Sequence, residues 1–116
     1  MRLRIRNQRN GAVLAARVKV AAGFRDRLVG LLGQSGLKEE EGLWIPSCRS
    51  VHTCFMRFPI DVLFIRDDRV IGMRENLGPF RVFGIRGGGA DAIELAGSRL
   101  RQSDTRLGDR VQWEEY

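Results

Sequence analysis

Three side chains near the middle of the chain have the types that a nucleophilic site needs. Cys48 supplies a thiol, His52 is the only histidine in the sequence, and Asp61 supplies a carboxylate. A reactive thiol needs a base within hydrogen-bonding distance and a third group that orients this base. A turn at residues 47–50 would bring Cys48 back beside His52. Cys48, His52 and Asp61 are therefore the candidate catalytic residues.

The same side chains have structural alternatives. A buried cysteine behaves as a small apolar side chain, and a histidine can bond to the backbone. With Cys54, they could also form a mixed tetrahedral metal site. However, no pair of ligands has the close Cys-x-x-Cys spacing that is typical of zinc sites. We therefore expect neither a bound metal nor another cofactor.

Asp61 is notable because it stands within an apolar run. If both faces of its strand are covered, its carboxylate must find hydrogen-bond donors. In one interpretation, it binds backbone N–H groups and fixes the turn around Pro59. In the other, it lines a ligand pocket, where Arg57 could pair with it. Together with His52 and Arg86, these two residues form the set of candidate ligand-binding residues.

The segment 84-GIRGGGAD-91 has the composition of an anion-binding loop. Backbone N–H groups of glycine-rich loops can bind phosphate, and Arg81 and Arg86 are close by in sequence. However, we predict no helix after this segment, and its spacing matches neither the Walker nor the Rossmann pattern. We therefore expect a surface loop.

The charge of the chain allows an anionic partner. Lys and Arg number 20 against 14 Asp and Glu, which gives a net charge of +6. Arginine predominates, and its planar guanidinium suits carboxylates and phosphates. Arg2, Arg4 and Arg6 share one face of a predicted strand, as a nucleic-acid surface would require. Most aromatic residues, however, sit inside apolar runs and not where they could stack on bases.

Length and terminal sequence suggest the kind of protein. The chain has 116 residues, which fits a single domain spanning residues 1–116. Two cysteines cannot form a disulfide-rich framework. The first residues are charged and alternating, and no run reaches the ~18 apolar residues of a membrane helix. We therefore expect a cytoplasmic protein without a membrane partner.

Short strands predominate among the elements that would position these residues. Leu3 and Ile5 alternate with arginines, and Asn10-Gly11 indicates a hairpin. Residues 23–33 change to helical spacing and predict one short helix. A turn at Asp67-Asp68 separates two strands. The other predicted elements are strands at 12–21, 42–46, 51–57, 61–66, 69–76, 80–85, 90–95 and 107–115, and one helical turn at 98–104 capped by Ser98.

These elements predict a mainly β fold, β-rich within the α+β class. We expect about seven short strands forming a small closed or nearly closed antiparallel barrel, or else a bent sheet. The single helix would pack across it.

Several segments, taken in order, resemble one known family. His52-Thr53, Met56, Pro59-Ile60-Asp61 and Leu63-Phe64-Ile65 resemble the core signature of the domain of unknown function 192 family. The resemblance covers about residues 12–112. Five further segments fall in the family's order: 24-FRDRLVGLLG-33, 42-GLWI-45, Pro79, 92-AIELAG-97 and 107-LGDRV-111.

The resemblance implies a small, mainly β domain and no established activity. Many members of the family carry an export signal, whereas this chain shows none. The resulting expectation is a non-catalytic binding or accessory module with a small surface cleft near His52, Arg57 and Asp61. Its partner would be an anionic small molecule or a protein. The alternatives are a small enzyme that uses Cys48 and His52, and a weak binder of nucleic acid or other polyanions.

Overall fold

The computed structural model describes residues 2–21, 37–53 and 58–116. These ranges contain ten strands and one short helix, which confirms the mainly β class. The predicted helix at 23–33 lies outside the described residues. The elements are β1 (Leu3–Asn7), β2 (Val13–Ala15), β3 (Arg17–Val20), β4 (Glu41–Ile45), β5 (Ser50–His52), β6 (Ile60–Arg66), β7 (Arg69–Leu77), β8 (Val82–Gly84), β9 (Asp91–Ala96), α1 (Arg99–Gln102) and β10 (Val111–Glu115).

The described strands form three sheets. The N-terminal sheet has the order β10-β1-β2, the central sheet has the order β3-β4-β9-β6-β7, and the small sheet pairs β5 with β8. These sheets bend around one another and do not close into a barrel. Of the two predicted architectures, the bent-sheet form is therefore the one found.

The first hairpin is confirmed, but its return strand divides. β2 pairs with β1 in the antiparallel sense, as Asn10-Gly11 indicates. The chain then bends at Ala16, and β3 leaves this sheet to run parallel to β4. Alternation alone could not reveal this division, because Leu14 and Val18 on either side of the bend point into the same core.

β6 is covered on both faces, and its alternate residues enter two separate cores. The first core lies between the central and N-terminal sheets, and the second lies between the central and small sheets. The first core contains Ile5, Leu14, Ala15, Val18, Leu63, Ile65, Val70, Ile93, Leu95, Leu100 and Val111. The second core contains Ala21, Leu43, Ile45, Val51, Phe58, Ile60, Val62, Phe64 and Ala92.

Two close contacts join the N-terminal sheet to the central sheet. The rings of Trp44 on β4 and Trp113 on β10 stack with centroids 4.5 Å apart. Beside Trp44, Gly42 has no side chain, and a Cβ placed there would lie 2.9 Å from the Cβ of Ala15. A larger residue at position 42 would therefore push the two sheets apart.

Turns made by polar residues connect the remaining elements. Asp67 and Asp68, at φ 52° and 62°, form the predicted two-residue turn between β6 and β7. The helical turn predicted at 98–104 is present as α1, and Ser98 occupies its N-cap position, but its side chain does not form the expected capping bond. Ser98 lies at φ 67° and its side chain makes no capping bond, because its hydroxyl instead bonds to Asn76.

Candidate functional site

Asp61 occupies an enclosed junction between β6, β7 and α1. Its side chain is fully buried, and it shares the face of β6 that supplies the first core. The backbone N–H groups of Asn76 and Ser98 donate to Oδ1 at 2.7 and 3.0 Å, and that of Leu100 donates to Oδ2 at 2.7 Å. The carboxylate thus binds three backbone donors, and these come from β7 and from the start of α1, not from the turn around Pro59.

Cys48 and Asp61 lie on opposite sides of the central sheet. Cys48 is partly buried against the second core, whereas Asp61 faces the first. The thiol of Cys48 donates to the carbonyl of Ser50 at 3.1 Å. The structure therefore does not bring these two candidate catalytic residues together.

His52 lies at the end of β5, on the outward face of the small sheet. Val51 and Phe83 pair across this sheet and point into the second core. By strand alternation, His52 and its partner Val82 point to the other face. His52 therefore points away from the second core, whereas Asp61 is buried on the side of the first core.

Of the remaining candidates, Arg57 and Cys54 lie outside the described residues. Arg86 is exposed in the glycine-rich loop. The guanidinium of Arg66 donates to the carbonyls of Arg86 and Gly88, each at 2.9 Å, and so fastens this loop to the end of β6. Within the described ranges, no three His, Cys, Asp or Glu residues are arranged to hold a metal ion.

A cavity of about 480 Å³ lies at another place, where the β1–β2 turn meets the start of β7 and the start of β10. We call it the arginine cavity, because three of its six lining residues are arginines. Those residues are Gln8, Arg9, Arg69, Gly108, Asp109 and Arg110.

Asp109 organises one wall of the arginine cavity. Its carboxylate accepts hydrogen bonds from Nε of Arg9 at 2.8 Å, from the amide of Asn7 at 2.9 Å and from the backbone N–H of Arg106 at 2.8 Å. Burial alone would raise the pKa of Asp109, but these hydrogen bonds outweigh it and hold the pKa below its usual range. Asp109 is therefore a fixed anion that orients Arg9.

The opposite wall of the cavity carries unbalanced positive charge. Arg69 and Arg110 face each other across an isolated antiparallel bridge. Like charges directly opposite each other repel. Within the ranges that the structure describes, the guanidinium of Arg69 donates to the carbonyl of Gly108, at 3.2 Å. In the described part of the chain, neither arginine forms an ion pair with a carboxylate.

The arginine-rich face predicted on β1 is partly neutralised. Arg4 and Arg6 both bind Glu114 on β10, with Nε–Oε1 distances of 3.2 and 2.8 Å. The hydrogen bond from Arg6 lowers the pKa of Glu114, and Arg4 adds to this effect. This face is therefore less basic than its sequence suggests.

Sequence reasoning did not find the arginine cavity, because its residues come from three distant segments. The one signal was 107-LGDRV-111, which contains three of the lining residues. In the described ranges, no helix is long and apolar enough to cross a membrane.

Comparison with known proteins supports the observed fold. A UPF0127 protein of Thermococcus sibiricus (strain DSM 12597 / MM 739) is 29% identical over 112 residues, covering 93% of this chain and 73% of that protein. A crystal structure from Sinorhizobium meliloti 1021, of a protein proposed to be a transcription regulator, has a TM-score of 0.79 at 21% identity. The structural match covers 97% of this chain and 92% of the Sinorhizobium chain.

A second crystal structure, of a protein of unknown function from Novosphingobium aromaticivorans DSM 12444, has a TM-score of 0.77 at 21% identity. It covers 97% of this chain and 84% of that one. At such identities the likeness concerns the fold. The sequence also matches the profile of the family described as uncharacterized ACR over residues 5–113. The chain therefore belongs to this family, the domain of unknown function 192 (DUF192).

Proposed function

We propose that this protein is a non-catalytic binding module whose arginine cavity holds the oxyanion of a small molecule. The observation that carries the proposal is the Arg69–Arg110 bridge: the two arginines pair across antiparallel backbone segments, and neither forms an ion pair with a carboxylate of the described residues. A bound phosphate or carboxylate would accept hydrogen bonds from both guanidinium groups and remove their repulsion.

The surroundings of this bridge support an anionic ligand. Asp109, the carboxylate that lines the cavity, is already engaged by Arg9 and by two uncharged donors. The side chains lining the cavity include three cations and one anion, so an approaching oxyanion meets a net positive charge. The cavity volume, about 480 Å³, lies within the range of small-molecule sites.

The proposal concerns binding and not catalysis. Cys48 donates its thiol to a backbone carbonyl, and Asp61 binds three backbone N–H groups on the far side of the sheet. No contact among the described residues favours the cysteine–histidine enzyme as a second function. The ligand-binding candidates His52, Asp61 and Arg86 lie outside this cavity.

Calorimetric titration with inorganic phosphate and with citrate tests the proposal, with sodium chloride at matched ionic strength as the reference. We expect saturable binding to the wild-type protein and about tenfold weaker binding to Arg110→Gln. Arg101→Gln is the matched control, because Arg101 is exposed, pairs with Glu75 and lies outside the cavity. Equal binding by the two variants, or binding no stronger than that of chloride, would overturn the proposal.

A phosphate group bound in the arginine cavity could also belong to a nucleic acid. A second titration distinguishes a nucleic acid from a small molecule. A single-stranded oligonucleotide is titrated at several salt concentrations. Neutralisation of several phosphates would give a steep dependence of affinity on salt, whereas one small oxyanion gives a shallow one. If only the oligonucleotide binds, and steeply with salt, the polyanion alternative replaces the small-molecule site.

A further inference from the structure

Two large apolar side chains project where the chain turns from β7 into β8: Phe80 lies in the turn, and Val82 is the first residue of β8. Phe80 is 77% exposed and Val82 is 72% exposed, and both flank the exposed Arg81. Their exposed fractions exceed those of the other large hydrophobic residues in the described ranges. We call Phe80, Arg81 and Val82 the apolar tip. Together these neighbouring side chains form a small apolar patch on the surface of the protein.

The apolar tip is held in place by Thr53, which is fully buried. The backbone N–H of Phe80 donates to the Thr53 carbonyl at 3.0 Å, and that of Thr53 donates to the Arg81 carbonyl at 2.9 Å. The Thr53 hydroxyl donates to the carbonyl of Gly78 at 2.6 Å and accepts from the N–H of Arg81 at 3.0 Å.

The conformation of Phe80 is costly. It lies at φ 59°, in the left-handed region that bulky residues rarely adopt. Such strain persists only where surrounding structure enforces it, and it concentrates at functional positions. Thr53 therefore holds an aromatic side chain in solvent by a network of hydrogen bonds.

The small sheet that carries the tip is basic, with Arg81 in the tip itself and Arg49 and Arg86 toward the opposite end of the β5–β8 pair. Residues 42–53 and 77–90 contain no aspartate or glutamate, and they include Arg49, Arg81 and Arg86, all exposed. The register of the small sheet places these two stretches side by side.

Three acids border these stretches, and each is hydrogen-bonded. Glu41 accepts a hydrogen bond from the backbone N–H of Lys38 at 3.0 Å. Glu75 pairs with Arg101. Asp91 accepts hydrogen bonds from the indole of Trp44 and from the backbone N–H of Ser47. The tip is thus an apolar projection on a positively charged surface.

We propose that the apolar tip docks on an anionic lipid bilayer. Phe80 and Val82 would enter the interfacial region, and Arg49, Arg81 and Arg86 would meet the headgroup phosphates. The two side chains expose on the order of 250 Å² of apolar surface, whereas each partner in a stable protein complex buries about 800 Å². A small convex projection suits a deformable bilayer better than a protein surface.

This peripheral contact differs from a membrane-spanning segment, which the sequence led us to exclude. That expectation was based on the lack of a segment long enough to span the bilayer. A peripheral contact needs only an apolar projection and basic neighbours. The tip is also separate from the arginine cavity, with which it shares no residue.

Co-sedimentation of the full chain with vesicles tests the proposal. The vesicles are phosphatidylcholine alone, and phosphatidylcholine mixed with phosphatidylglycerol. We expect binding to the mixed vesicles and little to phosphatidylcholine alone, because the arginines need anionic headgroups. The double variant F80S/V82S should partition at least about tenfold more weakly. Arg81→Gln should reduce binding several-fold, and only on the mixed vesicles.

The control is the double variant V20S/L107S, which removes two exposed apolar side chains elsewhere. It should bind vesicles as the wild type does, and thermal unfolding of each variant confirms that it is folded. Arg110→Gln should also bind vesicles normally, which separates this proposal from the arginine cavity.

Three results would overturn the proposal. The first is absence of binding to the mixed vesicles. The second is undiminished binding by F80S/V82S. The third is a pair of results: Phe80 is needed for the gel shift of a single-stranded oligonucleotide, and it is not needed for vesicle binding. The exposed ring would then be a platform for base stacking.

Discussion

Asp61 and Asp109 are both buried carboxylates in segments that resemble the family's motifs, yet they organise different kinds of region. Among the described residues, Asp61 accepts hydrogen bonds only from backbone N–H groups, and these bonds join β6, β7 and α1. Asp109 accepts from the side chain of Arg9 and thereby fixes a cation at the wall of an open cavity. The partners of a buried acid thus distinguish a purely structural junction from one that also shapes a surface.

The largest effect should come from Asp61→Asn. The new amide would direct its NH₂ group at a backbone N–H, whichever way it turns, and leave buried donors unsatisfied. We expect the free energy of unfolding to fall by about 3 kcal/mol, measured by urea denaturation. Asp67→Asn is the control, because Asp67 is exposed and at φ 52°, where asparagine is well tolerated. Equal stability of D61N and D67N would contradict a structural role for Asp61.

Asp109→Asn should have a smaller effect on stability and an additional effect on binding. The amide carries no charge for Arg9, and its NH₂ group meets Arg9 on one side or Asn7 and Arg106 on the other. Because this site borders an open cavity that water can enter, we expect a cost of about 2 kcal/mol. The released Arg9 would no longer be held at the cavity wall, so phosphate binding should weaken as well. Asp61→Asn, studied under conditions where it remains folded, should retain phosphate binding. Loss of binding in both variants would remove the distinction between the two regions.

The contribution of Asp109 to the free energy of unfolding should decrease as the pH is lowered. Its folded-state pKa lies below its usual range, so its stabilising effect is complete above the unfolded pKa of about 3.9. The effect is lost as the pH falls through the folded pKa. The difference in unfolding free energy between wild type and D109N should therefore be constant near neutrality and shrink below about pH 4. Urea denaturation across a pH series measures this difference, and a gap that grows on acidification would contradict the assignment.

The smallest effect on stability should come from Arg110→Gln. Removal of one cation from the Arg69–Arg110 bridge relieves repulsion, so stability should stay within about 0.5 kcal/mol of wild type or rise slightly. Phosphate binding should nevertheless fall. A variant that loses binding without losing stability would show that the cavity wall is not needed for folding.

The sequence predicted the elements well where pattern and turn chemistry agreed. The Asn10-Gly11 hairpin, the Asp67-Asp68 turn and the apolar run of β6 are local features, and the structure has all three. The division of the return strand at Ala16 was missed, because residues on both sides of the bend enter the same core.

Features that depend on distant contacts were beyond the sequence. An enclosed carboxylate was foreseen at Asp61, but its donors on β7 and α1 were not. Arg69 and Arg110 become neighbours only when the start of β7 meets the start of β10. Phe80 was placed in a predicted strand at 80–85, whereas the observed strand begins at Val82. Hydrogen bonds to Thr53 hold Phe80 in the turn before this strand.

The stacked pair of Trp44 and Trp113 gives the protein a built-in optical reporter. These are the only two tryptophans in the chain, and they belong to different sheets. Coupling between the two indoles in the circular dichroism spectrum would therefore report whether the N-terminal sheet is packed against the central sheet. β5 and β8 contain no tryptophan, so events confined to the small sheet would leave this signal unchanged.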